Sequence, residues 1–332
     1  MAFDGKVMVT GGAGYIGSHA VLALLDAGYD VVVVDNLVTG FAWAVDPRAA
    51  LVEMAVEDDR VREVIRAHGV RAIMHFAGSV VVPESVADPL KYYRNNTAAS
   101  RSLIESAVAE GVPHFIFSST AATYGTPEKV PVAEGDPTVP INPYGMSKLM
   151  TEAMLRDVAA AHPFNYCALR YFNVAGADPA GRSGQSTVGA THLIKIAVEA
   201  ASGRRGHVGV FGSDFATRDG TGVRDYIHVS DLADAHVAAL GLLIERPRES
   251  HTLNCGYGRG FSVLEVLDAV DRVTNMTIER RFEGRRAGDP AELVADNRAI
   301  LAALPWRPRR DDLDGIVRDA LAWERKLAEM GK

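Results

Sequence analysis

The chain has 332 residues, of which 23% are charged and 48% are hydrophobic. This length and composition are ordinary for a compact protein with a sizeable core, and they exclude the disordered and fibrous classes. The formal charge of −7, with basic residues scattered along the chain, provides no electrostatic footprint for nucleic acid or a membrane surface. We therefore expect a small-molecule ligand, with no nucleic-acid or membrane partner.

Location and redox state are also limited by the sequence. The N-terminus MAFDGKVMVTGGAG lacks the basic segment and apolar stretch of a signal peptide, and no apolar run reaches the ~18 residues of a membrane span. A cytoplasmic protein is therefore expected. Cys167 and Cys255 are far apart and neither lies in a CxxC pair, so both are predicted to be core thiols.

Short apolar runs alternate with helical periodicity through the first half of the chain. Runs rich in Val, Ile, Phe and Tyr are predicted as buried strands. They are Lys6 to Thr10, Asp30 to Val34, Arg71 to Phe76, His114 to Ser118 and Tyr166 to Tyr171. A helix is predicted from Tyr15 to Gly28, with the glycine as its C-terminal stop. This alternation predicts an α/β fold with a doubly wound parallel sheet of the Rossmann type.

The regular alternation of predicted strands and helices ends after about Ala175. A loop rich in Gly and Ser, Gly181 to Gly189, leads into a predicted helix near Thr191 to Ala201 and then into mixed elements. We expect a dinucleotide-binding domain at 1–178 and a smaller α/β substrate-binding domain at 179–332. The stretch 226–262 is expected to return to the first domain, with Tyr226 to Leu243 forming a strand and a helix.

The glycine-rich segment VTGGAGYIG, Val9 to Gly17, leaves the first strand and opens the first helix. It fits GxxGxxG at Gly11, Gly14 and Gly17, and equally GxGxxG beginning at Gly12. In this context backbone N–H groups and the helix dipole hold a pyrophosphate. The alternative is a tight turn that needs glycine only for its backbone shape.

Asp35 ends the second strand, eighteen residues beyond Gly17. An acid at this place hydrogen-bonds the adenosine ribose hydroxyls and repels a 2′-phosphate. Asn36 follows and no arginine is adjacent, so NAD is favoured over NADP. The alternative is a solvated loop acid.

Two further segments indicate proton-transfer chemistry. SSTAATYG, Ser118 to Gly125, places three hydroxyls at the end of a buried strand, and NPYGMSK, Asn142 to Lys148, precedes a helix. Tyr144 and Lys148 are four residues apart and so share a helical face. A phenol with a pKa near ~10 is a poor base, but a fixed ammonium and a positive nicotinamide ring favour phenolate. An ordinary helix-surface pair is the alternative.

Six segments together resemble the sugar-nucleotide epimerases of the extended short-chain dehydrogenase/reductase family. They are TGGAGYIG, HFAG, SSTAATYG, YGMSK, LRYFNVAGA and DGTGVRDYIHVSDLADAH, within a similarity that runs from Val7 to about Arg307. The resemblance implies an isomerase with tightly bound NAD that interconverts UDP-galactose and UDP-glucose through a 4-keto sugar, a reaction of galactose metabolism. It also implies a UDP-sugar-binding second domain and a homodimer with a four-helix interface.

The resemblance implies reaction roles for Thr120, Tyr144 and Lys148. Tyr144 accepts the proton of the sugar O4 hydroxyl, Lys148 holds the ribose and lowers the pKa of Tyr144, and Thr120 bridges O4 and Tyr144. An ST-turn at the strand end is the alternative for Thr120. Related dehydratases and decarboxylases carry an acid one or two residues after this hydroxyl. Here Ala121 and Ala122 stand at those positions, so no elimination is expected.

The remaining contacts are carried over from the family by position. NAD contacts are expected at Gly11, Gly14, Tyr15, Ile16, Gly17, Asp35, Asn36, Val56, Phe76, Ala77, Gly78, Asn95, Tyr144, Lys148 and Phe172. UDP-sugar contacts are expected at Thr120, Tyr144, Asn173, His192, Leu193, Phe211, Arg224, Arg286, Asp289 and Leu293. The histidines show no metal-ligand spacing, so no metal is predicted.

Three positions depart from the family pattern. Ala55 replaces an Asp that binds adenine, and Val80 replaces a Lys near the pyrophosphate. Each replacement is expected to weaken NAD binding by about one hydrogen bond, ~1 kcal/mol. Leu293 replaces a residue associated with excluding or admitting N-acetyl sugars, which leaves the breadth of substrates open.

Three other functions compete with the main hypothesis. One is a UDP-sugar 4-epimerase that acts mainly on N-acetylhexosamines, uronic acids or pentoses. Another is a simple dehydrogenase that releases NADH at each turnover. The third is an NAD-binding sensor without catalysis, against which the intact set of Thr120, Tyr144 and Lys148 counts.

Overall fold

The structure, a computed structural model, describes residues 3–286 and 288–332. The strands are β1 (Lys6–Thr10), β2 (Val31–Asp35), β3 (Ala50–Glu53), β4 (Val70–His75), β5 (His114–Thr120), β6 (Asn165–Tyr171), β7 (Asn173–Ala175), β8 (Val208–Phe211), β9 (Val223–His228), β10 (His251–Cys255), β11 (Gly260–Ser262), β12 (Arg280–Glu283) and β13 (Glu292–Leu293). The helices are α1 (Tyr15–Asp26), α2 (Val61–His68), α3 (Val82–Ala87), α4 (Pro89–Tyr92), α5 (Ala99–Ala109), α6 (Pro143–Ala161), α7 (Leu193–Ala201), α8 (Val229–Glu245), α9 (Val263–Thr274), α10 (Arg298–Ala303) and α11 (Leu313–Glu329). A π-helical turn, Tyr93–Ala98, joins α4 to α5.

A sheet of seven parallel strands lies at the centre, in the order β10-β6-β5-β4-β1-β2-β3. Successive side chains of a strand point to opposite faces, so Ile116 packs against α1 and α8 while its neighbours Phe115 and Phe117 pack against α2, α5 and α6. Both faces are therefore covered by helices. The predicted doubly wound α/β fold is confirmed, and each of the five predicted strands is present.

The second half of the chain adds a smaller layer. Strands β11, β9, β13 and β7 form one small sheet, β8 pairs with β12, and α7, α9 and α11 pack around them. The strand that contains Tyr226 is β9, which pairs with β7 and does not enter the large sheet. Helix α8 packs on α1, β5 and β6, and β10 becomes an edge strand of the large sheet. The boundaries 1–178 and 179–332 stay a prediction.

Two smaller expectations concern the cysteines and the membrane. Cys167 and Cys255 are fully buried free thiols, which confirms their prediction as core residues. Within residues 3–286 and 288–332, no helix combines the length and apolar character that crossing a bilayer requires.

Candidate active site

The predicted site residues gather at the carboxyl ends of the parallel strands. Strands β1 and β4 are neighbours, but the chain continues from β1 towards β2 and from β4 towards β5, on opposite sides. In open α/β sheets, ligands bind in the crevice where the strand order reverses in this way. Thr10 and His75 end these two strands, and the glycine-rich turn begins directly after Thr10.

The three motif glycines have different physical roles. A Cβ on Gly17 would lie 2.1 Å from the carbonyl oxygen of Gly11, and a Cβ on Gly11, at φ +69°, would lie 2.6 Å from the amide nitrogen of Ala77. Both residues are therefore needed for the close packing of the turn. A Cβ on Gly14 would meet only the Gly11 oxygen, at 3.3 Å, so Gly14 borders open space.

Gly14 is also the N-cap residue of α1. It provides no side-chain cap, and the first turn of α1 contains no acidic residue. The first N–H groups of a helix have no intrahelical partner, and the helix dipole is positive there. The turn thus leaves an uncapped helix N-terminus beside open space, which suits a dinucleotide pyrophosphate.

The carboxylate of Asp35 is 7% exposed and holds the glycine-rich turn in place. Its Oδ2 accepts a 2.9 Å hydrogen bond from the amide of Ala13, and its Oδ1 accepts one of 2.8 Å from Leu37. Each carboxylate oxygen has a further lone pair for a ribose hydroxyl. The Asn36 side chain accepts from the amide of Val38 at 3.2 Å.

Other predicted cofactor residues surround the crevice. The Tyr15 hydroxyl donates to the Gly176 carbonyl at 2.7 Å, and the Phe76 ring lies 4.8 Å from that of His236. Asn95 donates to the Ser79 hydroxyl at 3.1 Å. The Val56 side chain is 7% exposed and packs in the core with α2 and α5.

The predicted reacting groups come from two elements in contact. Thr120 ends β5, and Tyr144 lies in the first turn of α6. Asn142 caps α6 by accepting a 2.9 Å hydrogen bond from the Gly145 amide, and Pro143 occupies the first helical position, as is favourable at a helix start. A Cβ on Gly145 would lie 2.5 Å from the Ala122 carbonyl oxygen, so α6 begins directly against the turn that follows Thr120.

Lys148 lies one helical turn after Tyr144 and is 2% exposed. Its Nζ donates a 2.9 Å hydrogen bond to the carbonyl oxygen of Ser118 and lies 4.9 Å from the Phe117 ring centroid. Gly78 is close as well, since a Cβ built on it would be 3.8 Å from Nζ. Burial disfavours the ammonium form and lowers the pKa of Lys148 to about 8.

Two opposing effects act on the pKa of Tyr144 in the protein alone. Burial raises its pKa, while the Thr120 hydroxyl acts in the opposite direction and lowers it. The expected lowering of this pKa rests on the Lys148 ammonium together with a positive nicotinamide ring, and it stays a prediction. Desolvation penalises the phenolate in the protein alone, an effect that cannot be read from the spacing of two residues. The phenol is also enclosed by Tyr92, whose ring lies edge-on at 6.4 Å.

The predicted nucleotide-binding residues form a second group. The Arg286 guanidinium stacks over the Phe211 ring at 3.5 Å from its centroid. Arg224 donates to the Val223 carbonyl at 2.8 Å and lies 3.8 Å from Asp289. Arg286 thus offers a guanidinium group stacked on an aromatic ring, and Arg224 offers a second guanidinium group beside Asp289, a chemistry suited to a base and a diphosphate.

Leu293 lies between the reacting residues near Thr120 and the predicted nucleotide-binding residues. It lies in β13, paired with Arg224 of β9, and its side chain is 8% exposed. It packs in one apolar cluster with Phe172, Ala121 and Tyr124. The predicted sugar-discriminating residue therefore lies beside the turn that follows Thr120.

Three further predicted substrate residues lie around α7 and β7. His192 precedes α7 and accepts a 2.7 Å hydrogen bond from Gln185 at Nδ1. Leu193 begins α7 and packs, half-buried, on the core of the smaller layer. Asn173 is the first residue of β7.

Sequence reasoning missed two residues that organise the site. Ser118 supplies the carbonyl oxygen that accepts the hydrogen bond from Lys148. Asn96, 1% exposed, donates 3.0 Å hydrogen bonds to the Ser79 carbonyl and the Ser147 hydroxyl and so connects the loop after β4 to α6. The role of Ser118 depends on its backbone carbonyl, which every residue has, so the sequence gives no signal for it. Asn96 follows another asparagine, Asn95, and the sequence does not show which of the two makes the structural hydrogen bonds.

Residues 7–256 match the family model described as NAD dependent epimerase/dehydratase family. The chain belongs to this family. The resemblance to epimerases and the dependence on NAD predicted from the sequence are thus confirmed at the level of the family. The UDP-glucose 4-epimerase of Azospirillum brasilense is 56% identical over 325 residues, which cover 98% of this chain and 93% of that protein.

Solved structures of the family agree with the fold. The UDP-glucose 4-epimerase of Stenotrophomonas maltophila, with bound NAD and formylated UDP-arabinopyranose, has a TM-score of 0.94 at 39% identity and covers 98% of this chain and 100% of its own. The UDP-glucose 4-epimerase of Brucella ovis in complex with NAD has a TM-score of 0.92 at 43% identity, with coverages of 96% and 98%.

Proposed function

We propose that the protein is a UDP-glucose 4-epimerase that interconverts UDP-galactose and UDP-glucose with bound NAD, a reaction of galactose metabolism. The observation that carries the proposal is the contact between α6, with Tyr144 and Lys148, and the turn after Thr120. That turn presents Ala121 and Ala122 and no carboxylic acid, so the site moves a proton but offers no second acid for elimination. The high identity to UDP-glucose 4-epimerases over nearly the whole chain supports the same reaction.

The residues present fit NAD. The N-terminus of α1 at Gly14 would hold the pyrophosphate, Asp35 a ribose, and Lys148 the second ribose beside the reacting groups. When bound, NAD supplies the acceptor and donor of hydride for the sugar C4, and its oxidised ring adds a positive charge beside Tyr144. A departing NADH would leave the ketone unreduced, so retention of the dinucleotide is part of the reaction. Ala55 and Val80 provide no polar contact for it.

Tyr144 moves the proton of the sugar O4 hydroxyl. Its raised pKa keeps the phenol protonated at neutral pH in the protein alone. The hydroxyl becomes a competent base only when a positive charge is brought close, because opposite charge stabilises the phenolate. Thr120 donates to the phenolate oxygen or to O4 and keeps the two oxygens together. Burial of both side chains excludes water from the proton transfer.

The nucleotide half holds the substrate while the sugar turns. Arg224 and Arg286 would bind the diphosphate through paired N–H groups, and Phe211 would pack on the uracil. Leu293, which packs with Ala121 and Tyr124, would give the sugar side an apolar surface. An apolar surface makes no directional hydrogen bonds, so a 4-keto sugar can rotate there without losing specific contacts. Binding energy from the non-reacting nucleotide thereby retains the intermediate.

A deuterium experiment tests the proposed reaction. The purified protein is incubated with UDP-galactose labelled with deuterium at C4, without added NAD, and followed by NMR. We expect UDP-glucose that retains deuterium at C4, with no NADH in solution. Loss of the label to solvent would contradict hydride transfer, and accumulating NADH would indicate a dehydrogenase. The same assay with UDP-N-acetylgalactosamine ranks the alternative substrate.

We further propose a homodimer through the helices beside Tyr144. Leu90 at 77% and Met150 at 41% exposure lie on adjoining helices, and the Thr97 hydroxyl reaches the Met150 sulfur at 4.0 Å. Exposed apolar side chains on paired helices suit a helical interface. Light scattering should give twice the chain mass, and Leu90→Glu with Met150→Glu should give a monomer. The cytoplasmic location stays a prediction.

A further inference from the structure

Three polar side chains lie along one face of α6, at intervals of four residues: Tyr144, Lys148 and Glu152. All are buried, Glu152 with 6% exposure. The first two belong to the proposed reaction, whereas Glu152 lies a further turn away and has no role in it. A buried carboxylate needs a partner, because an isolated charge is strongly disfavoured away from water.

The partner of Glu152 is Arg170 of β6, which is also 6% exposed. Arg170 Nε donates to Oε1 at 3.0 Å and Nη2 to Oε2 at 2.6 Å. Two parallel N–H bonds to one carboxylate define orientation as well as distance. The Ser119 hydroxyl also donates to Oε1 of Glu152. Glu152 therefore joins α6 to β6 and to the residue that precedes Thr120.

The network continues to the other side of Thr120. Arg170 Nη1 donates to the Tyr124 hydroxyl at 3.0 Å, and that hydroxyl donates to Asn254 at 2.7 Å. Tyr124 ends the turn, Ala121–Tyr124, that follows Thr120. One buried pair is thus bonded to the helix that carries Tyr144 and to both flanks of Thr120.

We infer that the Glu152–Arg170 pair positions the Tyr144 hydroxyl relative to Thr120 for proton transfer, by locking α6 against β5 and the turn after it. The inference rests on the proposed function, and neither residue touches the substrate. Stability alone does not account for the pair, because replacing a buried ion pair by apolar side chains of similar volume is often neutral or stabilising. Misplacement of reacting groups by ~1 Å, in contrast, reduces rates by about a hundredfold.

The double variant Glu152→Leu/Arg170→Met separates positioning from stability, since no unpaired charge remains buried. We expect a thermal midpoint and NAD content close to wild type and a KM for UDP-galactose within about twofold, while kcat falls about tenfold to a hundredfold. The control Asp271→Leu/Arg280→Met removes another ion pair, of 2.6 Å, in the smaller layer, and should keep kcat. A double variant that retains wild-type kcat would overturn the inference.

A second readout follows Tyr144 without turnover. Tyrosinate absorbance of the NAD-bound protein is titrated with pH, and the Tyr144→Phe variant is subtracted. Because the Thr120 hydroxyl lowers the pKa of Tyr144, losing their alignment should raise that pKa in the double variant. An unchanged titration would contradict positioning. If the double variant fails to fold, Glu152→Asp, which keeps the charge but shortens the side chain, is measured with the same two expectations. Wild-type turnover is recorded alongside, so a failure of the proposed function is seen separately, as an inactive wild type.

Discussion

The Nζ atom of Lys148 donates a hydrogen bond of 2.9 Å to the carbonyl oxygen of Ser118, two residues before Thr120. This bond crosses from α6 to the end of β5. It holds the lysine against the strand, with the amine buried and the pKa lowered to about 8. The charge of Lys148 is therefore present at neutral pH and is lost within the range in which the enzyme can be assayed.

The first prediction concerns that charge. An ammonium one helical turn from Tyr144 can stabilise the phenolate only below its own pKa, so the wild-type rate of NAD reduction by UDP-galactose should level or decline above pH 8. In Lys148→Met the rate should be lower by about a hundredfold or more and should rise steadily with pH as the phenol ionises. Stopped-flow absorbance from pH 6.5 to 9.5 measures both profiles. Parallel profiles would contradict a role for the ammonium.

The phenol itself is tested by Tyr144→Phe. The ring and its contact with Tyr92 remain, whereas the proton acceptor is lost, so kcat should fall by a factor of about 10²–10⁴ with NAD content unchanged. Tyr166→Phe is the matched control, because Tyr166 is also buried but lies on β6 at its N-terminal end. Near-normal turnover of the Tyr144 variant would exclude this residue as the base.

Two glycines of the same turn should respond differently to alanine. A methyl on Gly17 would lie 2.1 Å from the Gly11 oxygen, so Gly17→Ala should lower the thermal midpoint. A methyl on Gly14 has a nearest contact of 3.3 Å, so Gly14→Ala should fold normally but bind NAD more weakly, because the methyl occupies the space of the pyrophosphate. Calorimetry and quantification of bound NAD distinguish the two. Full NAD content in folded Gly14→Ala would disprove the assigned phosphate position.

Adjacent arginines provide a controlled test of the nucleotide site. Arg286 stacks on Phe211, whereas Arg285 is paired with Asp214 at 2.7 Å and stacks on Phe215. Arg286→Ala should weaken UDP binding by about tenfold to a hundredfold, corresponding to a charge-assisted contact of ~1.5–3 kcal/mol. Arg285→Ala should change it by about twofold or less. Titration calorimetry with UDP measures both, and equal losses would refute the assignment.

Stability should fall in mild acid because of buried neutral histidines. Burial lowers the pKa of His75 to about 3, and of His19 and His236 to about 4. In the unfolded chain these histidines bind protons at about pH 6.5. Their contribution to the free energy of unfolding is therefore fully present above that pH. It is lost as the pH falls below that value, by about 1.4 kcal/mol per pH unit for each histidine. Burial raises the pKa of Asp225 to about 6, so this carboxyl adds stability as the pH falls. One such group offsets only part of the loss from three histidines.

His75→Gln isolates one of these contributions. The Thr10 and Ser100 hydroxyls that contact His75 at 2.7 and 2.8 Å can still pair with an amide. Urea unfolding at pH 7.5 and 5.5 should show a smaller difference for the variant than for wild type. An equal pH dependence would contradict a neutral His75.

Much of the fold could be predicted from local patterns, and its limits are instructive. The five inner strands are nearly continuous in apolar residues because both of their faces are buried. The edge strands β3 and β10, ALVE and HTLNC, were not predicted, because an edge strand has less burial to reveal it. The strand at Tyr226 could be recognised because β9 is mostly buried, whereas its sheet depends on pairing with the distant strands β7, β11 and β13.

The candidate site shows the same division. The glycine spacing, Asp35 and the interval from Tyr144 to Lys148 are local features, because each depends on one turn or one helix. The sequence alone was therefore enough to predict these residues and the family. Only the tertiary structure decided that Ser118 receives Lys148, that Glu152 meets Arg170 and that Leu293 lies beside Ala121. These contacts join distant segments, and burial, which raises the pKa of Tyr144 and lowers that of Lys148, is a property of the whole packed chain rather than of any short segment.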